Sequence, residues 1–284
     1  MRHNLPDISV VSVTWNSGDC VEDLLHSIER ASAGLRVEVL ILDNASRDDT
    51  VQKIRGNGFA GTRLIRLSRN LGYSKANNLG IRKARGRYVF LLNPDTQLQK
   101  DALITGVRFM DQHPDIAVLA PQMFFPDGRL QPSVRTFPDP GSMLIELVGF
   151  SKLFPGLSKW KLNPKPVDEP TEVDQPMGAA LLMRRMVFIE MGAFDPRLRM
   201  FFSDVDLLKR VKSKGYKVVL HPGVKVKHVM GLSTRKARSR MALEWASGLT
   251  RYFAKHHKKH PFNPVVNLLN WSVGIGRSVF YTLI

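Results

Sequence analysis

Cysteine is almost missing from this chain: Cys20 stands alone among 284 residues. No disulfide framework can therefore brace it, and no Cys/His group has the spacing of a structural zinc site. No P-loop pattern occurs, which weakens an ATPase reading. The N-terminal stretch MRHNLPDISVVSV lacks a long apolar run before a small-residue cleavage site. That argues against a secretory signal and for a cytosolic address. Acidic residues are scarce, with 25 Asp plus Glu against 42 Lys plus Arg, a net charge of +17. The 43% hydrophobic and 24% charged shares exclude a disordered, collagen-like or polytopic membrane chain. The length suits one large domain or two small ones.

The positive excess is uneven. Leu207 to His260 holds 15 Lys/Arg and one acid, Glu244. Such a stretch attracts polyanions: nucleic acid, an anionic membrane surface or a phosphorylated substrate. The bland alternative is a set of solvated helix faces. Nucleic acid is disfavoured, because no stacking aromatics interleave the cations and no helix-turn-helix signature is present.

The first hundred residues alternate strand and helix signals. Ile8 to Thr14 is a β-branched run that ends in the turn cluster Trp15-Asn16-Ser17-Gly18. Val21, Leu24, Leu25 and Ile28 then mark one helix face. Val37 to Leu42 is a second apolar run, closed by Asp43-Asn44, and Ser46 precedes an acidic helix start at Asp48-Asp49-Thr50. Leu64 to Leu67 predicts a third strand, Tyr73 to Arg85 a helix, and Tyr88 to Leu92 a fourth strand before Asn93-Pro94-Asp95-Thr96. Strands this apolar, separated by helices, predict a mostly parallel sheet covered on both faces. Ligands of such sheets bind beyond the carboxyl ends of the strands, so the three polar clusters should meet at one crevice. Further on, Ile116 to Leu119 predicts a strand, and Pro121 to Pro176 loops around a short amphipathic piece, Met143 to Phe154. Gly178 to Met183 predicts another strand, Asp204 to Lys214 a helix, and Val218 to Leu220 and Val224 to Val229 two strands.

Three places carry candidate chemistry. Asp95 follows a strand and a proline, where a carboxylate could hold a hard divalent cation or simply form a turn. Asp204 and Asp206 could be acids complementing a helix N-terminus, or one could be a general base beside the apolar Phe201-Phe202. His228 at a strand end reads as a surface histidine or a ligand.

Taken in order, the blocks are more specific than any one alone. They are Thr14-Trp15-Asn16; Asp43-Asn44-Ala45-Ser46; Asn70-Leu71-Gly72-Tyr73 through Asn78-Leu79-Gly80; Asn93-Pro94-Asp95-Thr96; Gly178-Ala179-Ala180 with Arg184-Arg185; Gly192-Ala193-Phe194-Asp195; Phe201-Phe202-Ser203-Asp204-Val205-Asp206; and His228 with Gly231-Leu232-Ser233-Thr234. Over residues 7–235 this resembles family 2 glycosyltransferases, above all their bacterial rhamnosyltransferase-like branch. The resemblance implies a GT-A fold, Rossmann-like with a mostly parallel central sheet, a donor half over about 1–120 and an acceptor half over about 121–235. It also implies a nucleotide-diphosphate sugar donor, with dTDP-rhamnose favoured, a divalent metal (Mg²⁺ or Mn²⁺) and inversion at the anomeric carbon. Thr14, Asn16 and Asp43 would line the base and ribose pocket. Asn93-Pro94-Asp95 stands at the metal motif, with Asp95 as its main carboxylate. Asp204 matches the general base, and His228 a histidine that helps hold the metal or diphosphate. Gly178, Ala179 and Asp206 would lie on the acceptor side. Ser203 departs from the pattern, standing where the family usually has Glu.

Residues 236–284 read as a C-terminal helical segment, basic and then apolar. Lys255-His256-His257-Lys258-Lys259-His260 precedes Val265 to Ile284, which carries Trp271 and Tyr281. That order predicts docking on an anionic leaflet, with packing on the protein's own core or on a second copy as the alternatives. Asn267, Asn270 and Arg277 argue against a full span. The expected enzyme is an inverting glycosyltransferase on the inner face of the cell membrane, acting on a lipid-linked or cell-envelope glycan. The alternatives are a UDP-hexose or UDP-galactofuranose donor, a soluble acceptor, or a nucleotide-sugar-binding module without turnover.

Overall fold

A computed structural model describes residues 5–57, 59, 61–154, 160, 166–232 and 236–283. The strands are β1 (Ile8–Thr14), β2 (Val37–Asp43), β3 (Thr62–Arg66), β4 (Tyr88–Leu92), β5 (Thr96–Leu98), β6 (Ile116–Phe124), β7 (Val134–Arg135), β8 (Thr171–Glu172), β9 (Gln175–Pro176), β10 (Ala180–Arg184) and β11 (Lys217–His228). The helices are α1 (Val21–Ala31), α2 (Thr50–Gly56), α3 (Tyr73–Lys83), α4 (Ala102–Gln112), α5 (Pro140–Leu147), α6 (Phe150–Leu153), α7 (Arg185–Glu190), α8 (Ser203–Ser213), α9 (Arg238–His256) and α10 (Asn263–Leu283).

The main sheet runs β3-β2-β1-β4-β10-β6-β11-β5, with β8 on β11. β1 pairs in parallel with β2 and β4, and β2 with β3. β10 enters antiparallel between β4 and β6, and β11 runs parallel to β6. Both faces are covered. Val10, Val39, Ile41 and Phe90 pack with Leu24, Leu25 and Ile28 of α1 on one side. The alternate residues Val11, Leu40, Leu42 and Leu91 pack with Ile81 of α3 and Leu207, Leu208 and Val211 of α8 on the other. Side chains one residue apart on a strand point to opposite faces, so a doubly covered sheet needs apolar residues at every position. That is why these strands read as unbroken apolar runs.

The C-terminal segment after residue 235 is helical and packs on the rest of the fold. A third core cluster joins α5, α8, α9 and α10 through Met143, Phe202, Val205, Leu249, Tyr252, Phe253 and Val266. α9 and α10 run antiparallel: Asn270 Nδ2 donates to Ala246 O at 2.9 Å, and Thr282 Oγ1 meets Ser239 Oγ at 3.1 Å. A Cβ on Gly274 would stand 2.9 Å from that of Ala246, so the crossing needs glycine. Asp206, fully buried, ties α8 to α9: Lys255 Nζ and His256 Nε2 each lie 2.7 Å from its Oδ1, and Arg210 Nη2 lies 3.0 Å from its Oδ2. Asp206 therefore holds two helices together, which corrects its expected place on the acceptor side.

Other expectations shift as well. Val218–Leu220 and Val224–Val229 form one strand, β11, whose register slips between His221 and Lys225. Pro222 cannot donate to the ladder, and a bulge absorbs it. β6 runs on to Phe124. The two- and three-residue strands β5, β7, β8 and β9 are too short to leave a period. Several cations in the basic stretch meet partners within the fold. Lys212 pairs with Glu172 and Asp174, Lys217 with Asp115, and Lys209 Nζ sits 2.9 Å from His257 Nε2. Burial, with Lys209 close by, pushes the His257 pKa down to about 4. Of the expected Lys/His cluster, Lys258 and Lys259 remain exposed.

Candidate active site

The carboxyl ends of β1, β2 and β4 open into one crevice of about 880 Å³ of open space. Val13 and Trp15 come from the first strand end, Asn44 from the second, and Asn93, Pro94 and Asp95 from the fourth. The three polar clusters meet as the strand ends implied. The opposite wall comes from Arg199 and Met200 and from α9, through Arg240, Met241 and Glu244.

Thr14 and Asp43 do not line this wall. Both are buried, with Thr14 Oγ1 donating to Asp43 Oδ1 at 3.4 Å. Asp43 Oδ2 also accepts from the Ser46 amide at 3.3 Å. The Asn16 amide donates to Ser46 Oγ at 2.9 Å, and Asn16 Oδ1 accepts from the Arg47 amide at 2.8 Å. These residues lock the loops after β1 and β2 to each other. Both loops turn through left-handed residues, Asn16 at φ 50° and Ala45 at φ 63°. Non-glycine residues hold that conformation only where surrounding contacts enforce it. Asn44 extends the lock: its Oδ1 accepts from the Leu71 amide at 2.8 Å, and its Nδ2 donates to Asn70 Oδ1 at 3.1 Å. That places the start of α3, with Gly72 and Tyr73, on the crevice rim.

Asp95 and His228 come together deep in the fold, with His228 Nε2 3.5 Å from Asp95 Oδ1 and both side chains buried. Gln131 sets the imidazole's tautomer. Its Nε2 donates to the His228 carbonyl at 3.2 Å, so its Oε1 is the acceptor for His228 Nδ1–H at 2.8 Å. In the neutral ring, Nε2 then turns a lone pair toward a carboxylate oxygen. In that tautomer the imidazole nitrogen and the carboxylate oxygen are placed as neighbouring ligands of one divalent cation. No group of three or more His, Cys, Asp or Glu ligands exists among the described residues. A cation here would need its remaining ligands from water and phosphate oxygens.

Asp204 lies in an adjoining cavity that shares Tyr73, Asn93, Met200 and Gly231 with the crevice. It sits in the first turn of α8, behind Phe202, which holds φ 65°. The Gly178 amide donates to Asp204 Oδ2 at 2.9 Å, and a Cβ on Gly178 would stand 2.7 Å from that oxygen. Only glycine lets the two approach so closely. Ala179 O accepts from the Asn93 amide at 2.8 Å, which joins the start of β10 to the end of β4. Burial raises the Asp204 pKa above the usual carboxylate range, against the lowering pull of the Val205 and Gly178 amides. Tyr73 Oη donates to Gly178 O at 2.9 Å. Ser203 is buried and donates to Met200 O at 2.8 Å. Ser233 and Thr234, part of the expected last block, lie outside the described residues.

The model of Glycosyl transferase family 2 matches residues 9–191. The chain belongs to that family. Among curated relatives of this family 2 glycosyltransferase is the N-acetylglucosaminyl-diphospho-decaprenol L-rhamnosyltransferase of Mycobacterium tuberculosis, 30% identical over 241 residues, 80% of this chain and 77% of that one. Another is the rhamnosyltransferase WbbL of Escherichia coli, 23% identical over 87% of this chain and 93% of that one. The fold is shared with the mannosyltransferase PcManGT of Pyrobaculum calidifontis, solved with GDP-Man and Mn²⁺. That structure has a TM-score of 0.61 at 17% identity and covers 98% of this chain and 74% of its own. The fold is GT-A, and the protein is a glycosyltransferase.

In this family 2 glycosyltransferase the crevice and the Asp204 cavity share lining residues: Asp95 lines the first, His228 and Asp204 line the second, and His228 Nε2 lies 3.5 Å from Asp95 Oδ1. Arg135, Arg199, Arg240, Met241 and Glu244 line these cavities and were not expected from sequence, while Tyr73 stood in the Asn70-to-Gly80 block without an assigned role. The α9 residues do recur at helical spacing, but spacing alone cannot say which face of a helix meets a site. The crevice wall continues past residue 236. Lys236 Nζ also donates to Asn16 O at 2.7 Å, which ties that stretch to the loop after β1.

Proposed function

We propose that this glycosyltransferase transfers a sugar with inversion, from a nucleoside diphosphate donor in the crevice to an acceptor hydroxyl in the Asp204 cavity. The observation that carries this reading is the adjoining pair of cavities, with Asp95 lining one, buried Asp204 lining the other, and His228 reaching from the second to 3.5 Å from Asp95. Asp204, poised by burial and by the Gly178 amide, takes the proton of the attacking hydroxyl as its oxygen bonds to the anomeric carbon. The glycosidic bond to the diphosphate breaks on the opposite face. One base suffices for inversion, and general base catalysis contributes roughly 10²–10⁴-fold. Asp95 and His228 would hold Mg²⁺ or Mn²⁺, which neutralises charge growing on the leaving diphosphate. Asn93, Asn16, Thr14 and Asp43 shape the donor side, the last three by fixing the two loops, while Gly178 and Ala179 shape the acceptor side.

The favoured donor is dTDP-rhamnose and the favoured acceptor a lipid-linked glycan of the cell envelope. Support comes from the relatives, whose names specify rhamnosyl transfer and, in one, a diphospho-decaprenol acceptor. Support for an anionic membrane surface comes from α10. Its inner face is covered by α9 and α5, while Val265, Leu268, Trp271, Ile275, Val279 and Leu283 face outward, exposed. Val148, Phe150, Leu153 and Phe154 add exposed apolar surface around α6. No helix among the described residues is long and apolar enough to cross a membrane. An apolar stripe with exposed Lys258 and Lys259 at its start suits a helix lying in an anionic interface, on the membrane's inner face.

A panel of thymidine and uridine diphosphate sugars, titrated with and without Mg²⁺ or Mn²⁺, tests the donor. Metal-dependent binding and nucleoside diphosphate release with dTDP-rhamnose are expected. A consistent preference for a uridine donor would replace the rhamnose reading, and binding without turnover on any acceptor would leave a binding module.

A further inference from the structure

Among the described residues the fold gives some inward-facing guanidinium groups oxygen acceptors and leaves others without one, Arg185 Nε and Arg135 among them. Arg184 donates to Ile116 O, Met110 O and His113 O, and Arg210 meets Asp206, Met191 O and Ala193 O. Arg135 meets no acceptor among the described residues. It sits on β7 opposite Gln175, half-buried, with its guanidinium carbon 4.8 Å from the centroid of the Trp160 ring. The ring face stabilises the cation but satisfies none of its five N–H donors. Burial pulls its pKa down, and only the more distant Asp204 charge opposes this. Arg135 and Asp204 line the same cavity, yet form neither a hydrogen bond nor an ion pair. Two further polar atoms in that lining lack partners, Trp160 Nε1 and Gln175 Oε1.

A half-buried cation that faces a cavity without an oxygen acceptor of its own is placed to receive an anion there. The crevice that holds Asp95 is not lined by Arg135, whereas the cavity that holds Asp204 is. His228 and Asn93 line that cavity too, but Asp204 is the carboxylate whose charge reaches Arg135, which points to an anion carried by the acceptor. A planar guanidinium offers a phosphate two parallel N–H groups.

We propose that Arg135 binds a phosphate carried by the acceptor sugar and thereby sets the acceptor's hydroxyl against Asp204. This rests on the reading of the Asp204 cavity as the acceptor site. Arg135 is a positioning residue: it forms and breaks no bond, and it selects acceptors whose reacting hydroxyl lies one sugar ring from a phosphate. A neutral glycoside loses that anchor and enters the cavity without a preferred orientation.

The test compares three acceptor probes with the full chain and its Arg135→Gln and Arg135→Lys variants. The probes are a decyl diphosphate of N-acetylglucosamine, the neutral decyl N-acetylglucosaminide, and a decyl glucuronide with a carboxylate in place of phosphate. Binding is measured calorimetrically with the donor side filled by nucleoside diphosphate and Mg²⁺, so no turnover is needed. Arg135→Gln should weaken the diphosphate probe about 10- to 100-fold, the range for a lost charged hydrogen-bonding partner. Arg135→Lys should restore part of that affinity. Affinity for the neutral glycoside and the nucleotide should be unchanged by either variant, and Arg135→Gln should melt no lower than the parent. Equal losses on diphosphate and neutral probes would reduce Arg135 to a structural role. Lost nucleotide affinity would move it to the donor phosphates, and an Arg135 dependence confined to the glucuronide would replace phosphate by carboxylate. Wild-type protein that binds the diphosphate no more tightly than the neutral probe would also overturn the proposal. If the binding contrast holds but no diphosphate acceptor is glycosylated, the transfer reading fails and the Arg135 assignment stands.

Discussion

Replacing Asp204 by Asn removes the charge while keeping the shape, and it separates two roles of the carboxylate. The amide oxygen can still accept from the Gly178 amide, which now donates at 2.9 Å. What disappears is the ability to take a proton. Turnover should fall by about 10²–10⁴-fold with donor affinity unchanged. Stability should move the other way. Burial raises the folded-state pKa of Asp204 above its ordinary value. An acid whose folded pKa is raised destabilises the fold when ionised, so its cost is absent below the unfolded pKa of about 3.9 and present at neutral pH. The neutral amide lifts that cost and gives up about 1 kcal/mol of charge-assisted hydrogen bonding. The expected melting temperature at pH 7 is therefore equal to or above the parent's, and the difference should vanish toward pH 3. For the parent, the acid limb of the kcat profile should lie above the usual carboxylate range, because the base must be ionised. Steady-state kinetics and calorimetric melting from pH 3 to 8 check both halves. Near-parental turnover, or a melting temperature lowered by several degrees, would refute the reasoning.

Asp95→Ala should abolish turnover and remove the metal dependence of donor binding, read by titrating nucleotide with and without Mn²⁺. Donor affinity that ignores metal in parent and variant alike would end the metal role. Asp206→Ala should leave Lys255, His256 and Arg210 without their shared carboxylate, at a cost of about 3–5 kcal/mol and on the order of 10 °C in melting temperature. Burial alone would raise the Asp206 pKa, but His256 and Lys255 outweigh it and hold it low. The stabilisation is thus present above the ordinary carboxylate pKa and is lost as pH falls through the depressed folded value. Melting curves at pH 7 and pH 3 should show the variant's deficit shrinking in acid. Leu268→Glu with Ile275→Glu, on the exposed face of α10, should abolish sedimentation with anionic liposomes and leave nucleotide affinity intact. Unchanged sedimentation would remove the membrane from the proposed function.

Where the strands lie, and that their ends carry the site, was legible from residue order alone. Apolar runs with polar clusters at Thr14–Asn16, Asp43–Asn44 and Asn93–Asp95 suffice for that, because a covered parallel sheet demands such runs and gathers its ligands at strand ends. Residue order could not choose between neighbours. Side chains one apart at a strand end face opposite ways, so Val13 and Trp15 reach the crevice while Thr14 turns to Asp43. Asp204 and Asp206 stand two apart on a helix, about 200° around its axis, so both could not face one cavity. Tertiary packing assigned Asp204 to Gly178 and Asp206 to Lys255 and His256. It also brought Arg240, Met241 and Glu244 of α9 onto the crevice, across more than 140 residues from Asp95. Local pattern reports which face of an element is apolar. Which other element covers that face, and which cation meets no acceptor among the described residues as Arg135 does, depends on contacts between residues far apart in the chain, and those exist only once it has folded.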